Sequence, residues 1–304
     1  MMLHNESYTT EEIAQLLKVS KLTIYDLIKK GELRAYRVGR QMRIDAVDLE
    51  AYKRKGKAVK MEKTSGETND DTRSIIISGQ DSSLDVFSRA LEKRTDSYKP
   101  LRSQVGSLDS LINMYNGRAD IVSTHLLDGE TGTYNVPYVK RLLVSHSFVV
   151  VKFIKRQAGL YVAKDNPKNI FTWADLKRED VRIVNREQGA GSRVLLDEQL
   201  KKINVHTSLI RGYDHIQTSH LSVAAAIANE AADVGVGIEQ PTKLANIDFV
   251  PLITENYDLV MLKTEENNHL IEEVLRILRD DSFQNELNLL GYDTENIGDI
   301  IYEQ

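Results

Sequence analysis

The stretch Val181–Leu200 reads VRIVNREQGAGSRVLLDEQL, and its three parts decide the fold class. An apolar, β-branched run ends at Asn185. A loop with Gly189 and Gly191 follows, and a helical apolar spacing begins at Val194. Glycines let backbone N–H groups turn inward, and a helix start adds unpaired donors and a partial positive charge. Such a loop suits an anion, although the same order also serves as an ordinary strand-to-helix connection.

Outward from that unit, strands alternate with helices from Ser74 onward. SIIIS, ADIVSTH and RLLVSHSFVVVKFIKRQAGLYVA read as strands; SLDVFSRALEKR and GSLDSLINMYNG read as helices. VRIVNREQGAGSRVLLDEQLKK, VAAAIANEAADVGVGI and DFVPLITENYDLVML continue the pattern, which predicts an α/β sheet protein. Several helices open after loops rich in Ser, Thr, Gly or His: SGQDSSL, QVGSLDS, STHLLDG, GAGSR and QTSHLS. In doubly wound sheets ligands gather at the carboxyl ends of strands, where such openings converge.

The chain has 304 residues, enough for about two domains, and its 41% hydrophobic and 28% charged content is ordinary for a globular protein. No run approaches 18 uninterrupted apolar residues, and the polar, acidic start MMLHNESYTTEEIAQLLK lacks the features of a secretory signal, so a cytoplasmic protein without a membrane span is expected. With no cysteine, disulfides, thiolate metal sites and a thiol nucleophile are excluded. The net charge of −5 is unevenly shared. Residues 1–60 hold 13 of the 40 basic residues but 8 of the 45 acidic ones, so a basic head precedes an acidic body. Between them KGKAVKMEKTSGETNDDTR, Lys55–Arg73, reads as a solvated linker.

In the head, Thr10 with Glu11 and Glu12 starts a helix that turns Ile13, Leu16 and Leu17 inward. Ser20 caps a second helix with Ile24, Leu27 and Ile28 inward, and Gly31 stops it, which makes a helix-turn-helix. Val38-Gly39-Arg40-Gln41 turns a β-hairpin wing, and Asp45 caps a third helix through about Lys53. Ser20, Lys21, Thr23 and Tyr25 at the start of the second helix are candidates for DNA contact. Wing arginines Arg37, Arg40 and Arg43 can reach phosphates or the minor groove. Residues 7–53 resemble the excisionase-type helix-turn-helix family, relatives of winged MerR-like domains, through T-x-E-x-A-x-x-L, V-S-x-x-T-[IV]-Y, K-x-G-x-L and V-G-R-x-x-R-I. That resemblance implies sequence-specific binding of double-stranded DNA, normally by a homodimer.

Residues 75–304 resemble the periplasmic-binding-protein-like domain of regulators related to molybdate and tungstate solute-binding proteins. The motifs are GRADIVSTHLLDGETGTYNVPYV, RQAGLYVAKDNPKNI, VNREQGAGSRVLLDEQL, TSHLSVAAAIANEAADVGVGIE and FVPLITENYDLVM, in that order. The resemblance implies two lobes, residues 74–155 and 160–250, with the C-terminal helices returning to the first. Gly191, Ser192 and Arg193 then look like the second lobe's half of an oxyanion clamp. Where the family usually has G-S-H-D, this chain has Ser78-Gly79-Gln80-Asp81, one donor fewer.

Molybdate, tungstate and sulfate carry no proton at neutral pH, so donors alone can hold them, whereas hydrogen phosphate wants an acceptor. Ser82, Ser107, Thr124, Ser192 and Tyr257 are the donor candidates, with Gly106 and Ser219 in the same helix openings. Arg193 adds charge or lies on the surface; Tyr257 binds ligand or belongs to the core; Asp81 keeps phosphate-like ligands open. His125 and His220 read as loop hydrogen-bonders, since no histidine pair has the spacing of a helical zinc site. No nucleophile elbow is present, so no catalytic residue, metal or cofactor is assigned.

The expected fold is α/β, with a winged helix-turn-helix over residues 1–56, a linker over 57–73 and a two-lobed (type II) periplasmic-binding-protein-like sensor over 74–304. The expected function is a one-component transcription regulator, not an enzyme, that senses a small oxyanion, foremost molybdate or tungstate. The alternative is a DNA-binding regulator of another small molecule, or of a metal cation through its histidines.

Overall fold

The computed structural model describes residues 7–17, 19–29, 33–39, 41–49, 52 and 72–304. The chain divides into two compact units, Met1–Asp70 and Asp71–Gln304.

In the first unit, helix α1 (Thr10–Leu17) is opened by a capping box: Glu12 N donates to Thr9 Oγ1 at 3.2 Å, and Thr9 N donates to Glu12 Oε2 at 2.8 Å. Ser20 caps α2 (Lys21–Lys29) by accepting from Thr23 N at 3.1 Å. Strand β1 (Ser7–Thr9), which the sequence did not signal, joins the hairpin of β2 (Tyr36–Val38) and β3 (Gln41–Asp45) in the order β1-β3-β2. Ile13, Ala14, Ile24, Leu33, Ile44 and Leu49 form the core. Leu16, expected inward, is 53% exposed. In this two-turn helix Ile13 and Ala14 supply the packed face, and Leu16 lies beside it. Asp45 ends β3, its carboxylate accepting from Tyr36 OH at 2.8 Å; residues 46–49 are helical, and the expected end near Lys53 lies outside the described residues.

The second unit is an α/β protein on one curled sheet of nine strands. Strand β4 (Arg73–Ser78) pairs in parallel with β5 (Tyr98–Ser103) and β6 (Ile121–Thr124). On the far side β8 (Ile183–Arg186) runs parallel to β9 (Ile216–Gln217) and β10 (Val234–Ile238). Two strands of 15 residues, β7 (Phe148–Val162) and β11 (Asp248–Leu262), join the groups by pairing antiparallel from Phe148↔Leu262 to Val162↔Asp248. Strand β12 (Ile300–Glu303) closes against β7.

Helices sit on both faces of each lobe because the central strands are apolar on both sides. In the first lobe Ile75, Ile77 and Leu259 pack under α3 (Ser83–Arg94) and the C-terminal helices α9 (Asn268–Leu278) and α10 (Asp281–Leu289). The other face packs Val122, Val150 and Val260 against Leu111 and Met114 of α4 (Ser107–Tyr115) and Val139 of α5 (Val136–Leu142). In the second lobe, α6 (Gly191–Lys202) covers Leu160, Ile183 and Val234. Helix α7 (His220–Ala228) covers Tyr161 and Val184, and α8 (Gln240–Ala245) follows β10. The strand-loop-helix openings thus face one another where the lobes meet.

Candidate ligand-binding cleft

Between the lobes lies a cleft of about 350 Å³. Its first-lobe wall starts at the carboxyl end of β4, where Gly79 has φ +147. A Cβ there would stand 1.8 Å from Ser123 Oγ and 2.9 Å from Tyr257 OH, so only glycine lets the β4 loop approach those hydroxyls. Asp81 and Ser82 follow on that loop, Gly106 and Ser107 open α4, and His125 follows β6; all line the cleft. Ser219 and His220 at the start of α7, together with Gln240, Pro241 and Leu244 of α8, form the opposite wall.

The floor is a buried charge network that the sequence reading did not assign. Arg156 of β7 stacks over the Tyr257 ring, its guanidinium carbon 4.3 Å from the centroid. Its Nε donates to Glu255 Oε1 at 2.5 Å, and Nη1 donates to Asp81 Oδ2. Asp81 Oδ1 accepts from Ser83 N at 2.7 Å and from Tyr292 OH at 2.8 Å. His125 Nδ1 lies 3.2 Å from Glu255 Oε2. Ser123 Oγ donates to Tyr257 OH at 2.6 Å.

Burial alone would raise both carboxylates; the Arg156 charge outweighs it, holding Asp81 low and, with His125, Glu255 at about 2. Burial and the Asp81 charge push Tyr257 up to about 12. Burial and the charges of Arg186 and Arg156 hold His220 well below the ordinary imidazole range, so its ring is neutral. Arg156 and Glu255 share their strands with other polar residues, Lys152, Lys155 and Gln157 on β7 and Thr254, Asn256 and Asp258 on β11, so nothing in the local sequence singled them out.

The lobes also touch directly. Arg186 Nη2, at the end of β8, donates to Gln80 Oε1 at 2.8 Å, and Leu108 N of α4 donates to Gly189 O at 3.2 Å. Gln80, where the resembled family usually has a different residue, thus serves as a bridge between lobes.

Asp81, Ser82, Gly106, Ser107, His125, Ser219, His220 and Tyr257 therefore share one cleft, whereas Thr124, Gly191, Ser192 and Arg193 stand behind its surface. Gly191 packs on His125: a Cβ there would fall 2.5 Å from Nε2. Thr124 Oγ1 and Ser192 Oγ are buried with no hydrogen-bond partner among the described residues. Arg193 is neither a surface residue nor a charge aimed at the cleft. It is 6% exposed, stacks 4.0 Å over Tyr213 and donates to Arg186 O at 3.0 Å, because the turn of the helix directs it into the second lobe. Asp81 does not offer a free acceptor, since its side chain is 1% exposed and already receives three donors.

On the N-terminal unit, Lys21, Thr23 and Tyr25 are exposed along α2, and Arg37 is exposed on β2. Lys21 Nζ is paired with Glu11 and lies 5.9 Å from the Tyr25 ring centroid. Ser20 and Thr23 share a hydroxyl contact of 2.8 Å at the cap. Arg43 is half-buried, its Nη1 donating to Ser7 O at 3.4 Å, and Arg40 lies outside the described residues.

The profile of the PBP superfamily domain matches residues 88–279, and that of a helix-turn-helix domain matches residues 7–57. YvgK of Bacillus subtilis (strain 168) is 49% identical over 310 residues, covering 99% of this chain and 100% of that protein. A Clostridium pasteurianum protein from the 5′ region of a 2Fe-2S ferredoxin gene is 36% identical over 112 residues, 36% of this chain and 99% of its own length. Among solved structures, an ABC-type phosphate transport receptor from Vibrio cholerae superposes with a TM-score of 0.50 at 15% identity, covering 73% of this chain and 99% of the receptor. An H2O2-bound OxyR mutant of Corynebacterium glutamicum gives 0.52 at 10% identity, over 93% and 90% of the two chains. At such identities the likeness is one of fold.

Proposed function

Because the chain belongs to the PBP superfamily and carries a helix-turn-helix domain, we propose that it is a one-component transcription regulator whose cleft senses a small oxyanion, foremost molybdate or tungstate. The observation that carries this reading is the withdrawal of the carboxylate acceptors. Asp81 and Glu255 are each 1% exposed at the side chain and ion-paired with the same Arg156, while hydroxyls and helix starts at Ser82, Ser107 and Ser219 line the cleft. A tetrahedral dianion without a proton is satisfied by donors alone. Such a cleft favours it over an ion that must itself donate.

In this reading the regulator works in the cytoplasm as a binding protein rather than an enzyme. It binds operator half-sites as a homodimer, since one small head contacts few base pairs. Calorimetry of the full chain against molybdate, tungstate, sulfate and phosphate tests the ligand, and saturable binding of the first two at micromolar concentration is expected. Silence from every tetrahedral dianion would refute the oxyanion reading. Light scattering with and without operator DNA tests the dimer, which a 34.5 kDa monomer under both conditions would exclude.

A further inference from the structure

Tyr292 lies after α10, in none of the loops that carry the cleft's motifs. Its ring is anchored in the first-lobe core, 5% exposed, while the residue reaches the cleft wall. The hydroxyl donates its single proton to Asp81 Oδ1 at 2.8 Å. The same oxygen lies 2.9 Å from Ser82 Oγ, so the contact is completed by the Ser82 hydroxyl donating to Tyr292.

A carboxylate offers about four lone-pair sites. Oδ1 of Asp81 is filled by Ser83 N and Tyr292 OH, and Oδ2 receives Arg156. Of these three donors only Tyr292 also lines the cleft together with Asp81 and belongs to neither the Asp81 loop nor the charge network of the floor. Its hydroxyl therefore decides whether a ligand meets Asp81 Oδ1 as an acceptor at this wall.

We propose that Tyr292 is a specificity-determining residue that disfavours protonated oxyanions by occupying the Asp81 oxygen that would otherwise be the charged acceptor for their proton. This inference rests on the oxyanion reading above. Sulfate and phosphate make the sharpest pair, since both are tetrahedral and of similar size but only phosphate carries a proton at neutral pH. In the protein as it stands, sulfate and tungstate find donors, whereas hydrogen phosphate meets no free carboxylate oxygen and must place its proton on a weaker neutral acceptor such as a serine hydroxyl. Removing the Tyr292 hydroxyl exposes Oδ1 to the cleft. It also releases the Ser82 proton, which helps either anion equally, so the ratio of the two affinities isolates the effect of Asp81.

The test is calorimetry at pH 7 on full-length protein, wild type and Tyr292→Phe, with sulfate, tungstate and inorganic phosphate. Tyr292→Met, which also removes the hydroxyl while filling the apolar slot, guards against a packing defect, and thermal unfolding confirms that each variant is folded. The phosphate-to-sulfate affinity ratio is expected to rise by about tenfold or more in both variants, as one charge-assisted hydrogen bond becomes available. An unchanged ratio, including a parallel gain for both anions, overturns the role of Tyr292 while leaving the oxyanion reading intact. A wild-type protein that binds none of the three anions overturns the oxyanion reading and this inference with it.

Discussion

Arg156 and Glu255 are direct cross-strand partners on the two long strands that join the lobes, with Nε and Oε1 2.5 Å apart and neither side chain more than 3% exposed. The same guanidinium serves Asp81, so one cation holds two buried carboxylates. Arg156→Met is expected to destabilise the protein by about 3–5 kcal/mol, because it leaves both carboxylates buried without their cation. Urea unfolding reads the loss, and a variant as stable as wild type would show that the network contributes nothing to the fold.

Two buried carboxylates respond to pH in opposite senses. Glu255 is depressed from 4.5 to about 2, so its stabilisation is fully present above 4.5 and is lost as pH falls through about 2. Burial pushes Asp258 from 3.8 up to about 7 despite a 2.6 Å hydrogen bond from Asn135 Nδ2. The native state therefore keeps a proton on Asp258 that the unfolded chain releases, and stability declines from pH 3.8 to about 7 before levelling. Asp258→Asn should remove that decline, giving a higher melting temperature than wild type at pH 8 and little difference near pH 4. Identical pH profiles for the two proteins would contradict this assignment.

Ser107 begins α4 at the cleft wall, where a carboxylate suits the helix but opposes an anionic ligand. Ser107→Asp places a charge against the ligand worth roughly 4 kcal/mol per charge pair at about 4 Å and an effective dielectric near 20, enough to abolish micromolar binding of a dianion. Ser107→Ala loses only one charge-assisted hydrogen bond, roughly 1.5–3 kcal/mol. Tungstate-induced thermal stabilisation should vanish in the first variant and shrink in the second. A folded Ser107→Asp protein with the full tungstate shift would place the ligand elsewhere.

Lys21 must leave Glu11 to reach a base or phosphate. Glu11→Gln frees it and removes one negative charge from the DNA-facing side, so operator affinity at low salt should rise a few-fold, and the gain should fade as salt screens it. Gel-shift titrations at two salt concentrations would show it; weaker binding by Glu11→Gln would mean that the ion pair positions the recognition helix.

The elements set by neighbours along the chain were legible in the sequence. The Ser20 cap depends on contacts only three residues apart, and the apolar run before the Gly189-Gly191 loop became β8 and the spacing after it became α6. Caps and periodicity act within one turn of helix or along one strand, so local spacing determines them. The direction of a side chain beyond its own element is not local: Arg193 and Ser192 share the GAGSR motif, yet the rotation of α6 turned Arg193 onto Tyr213. The floor of the cleft was beyond sequence reading for the same reason. Arg156 meets Asp81 across 75 residues and Glu255 across 99, and Tyr292 meets Asp81 across 211. Those meetings depend on the register of β7 against β11, including its shifts at Pro251/Ile253 and Tyr257/Asp258, and on the return of the C-terminal segment to the first lobe. Sequence alone determined that donors gather at helix starts. Tertiary packing decided which donors face the cleft and which acceptors are withheld from it, because each pairing depends on long-range registry and on burial that only the assembled sheet creates.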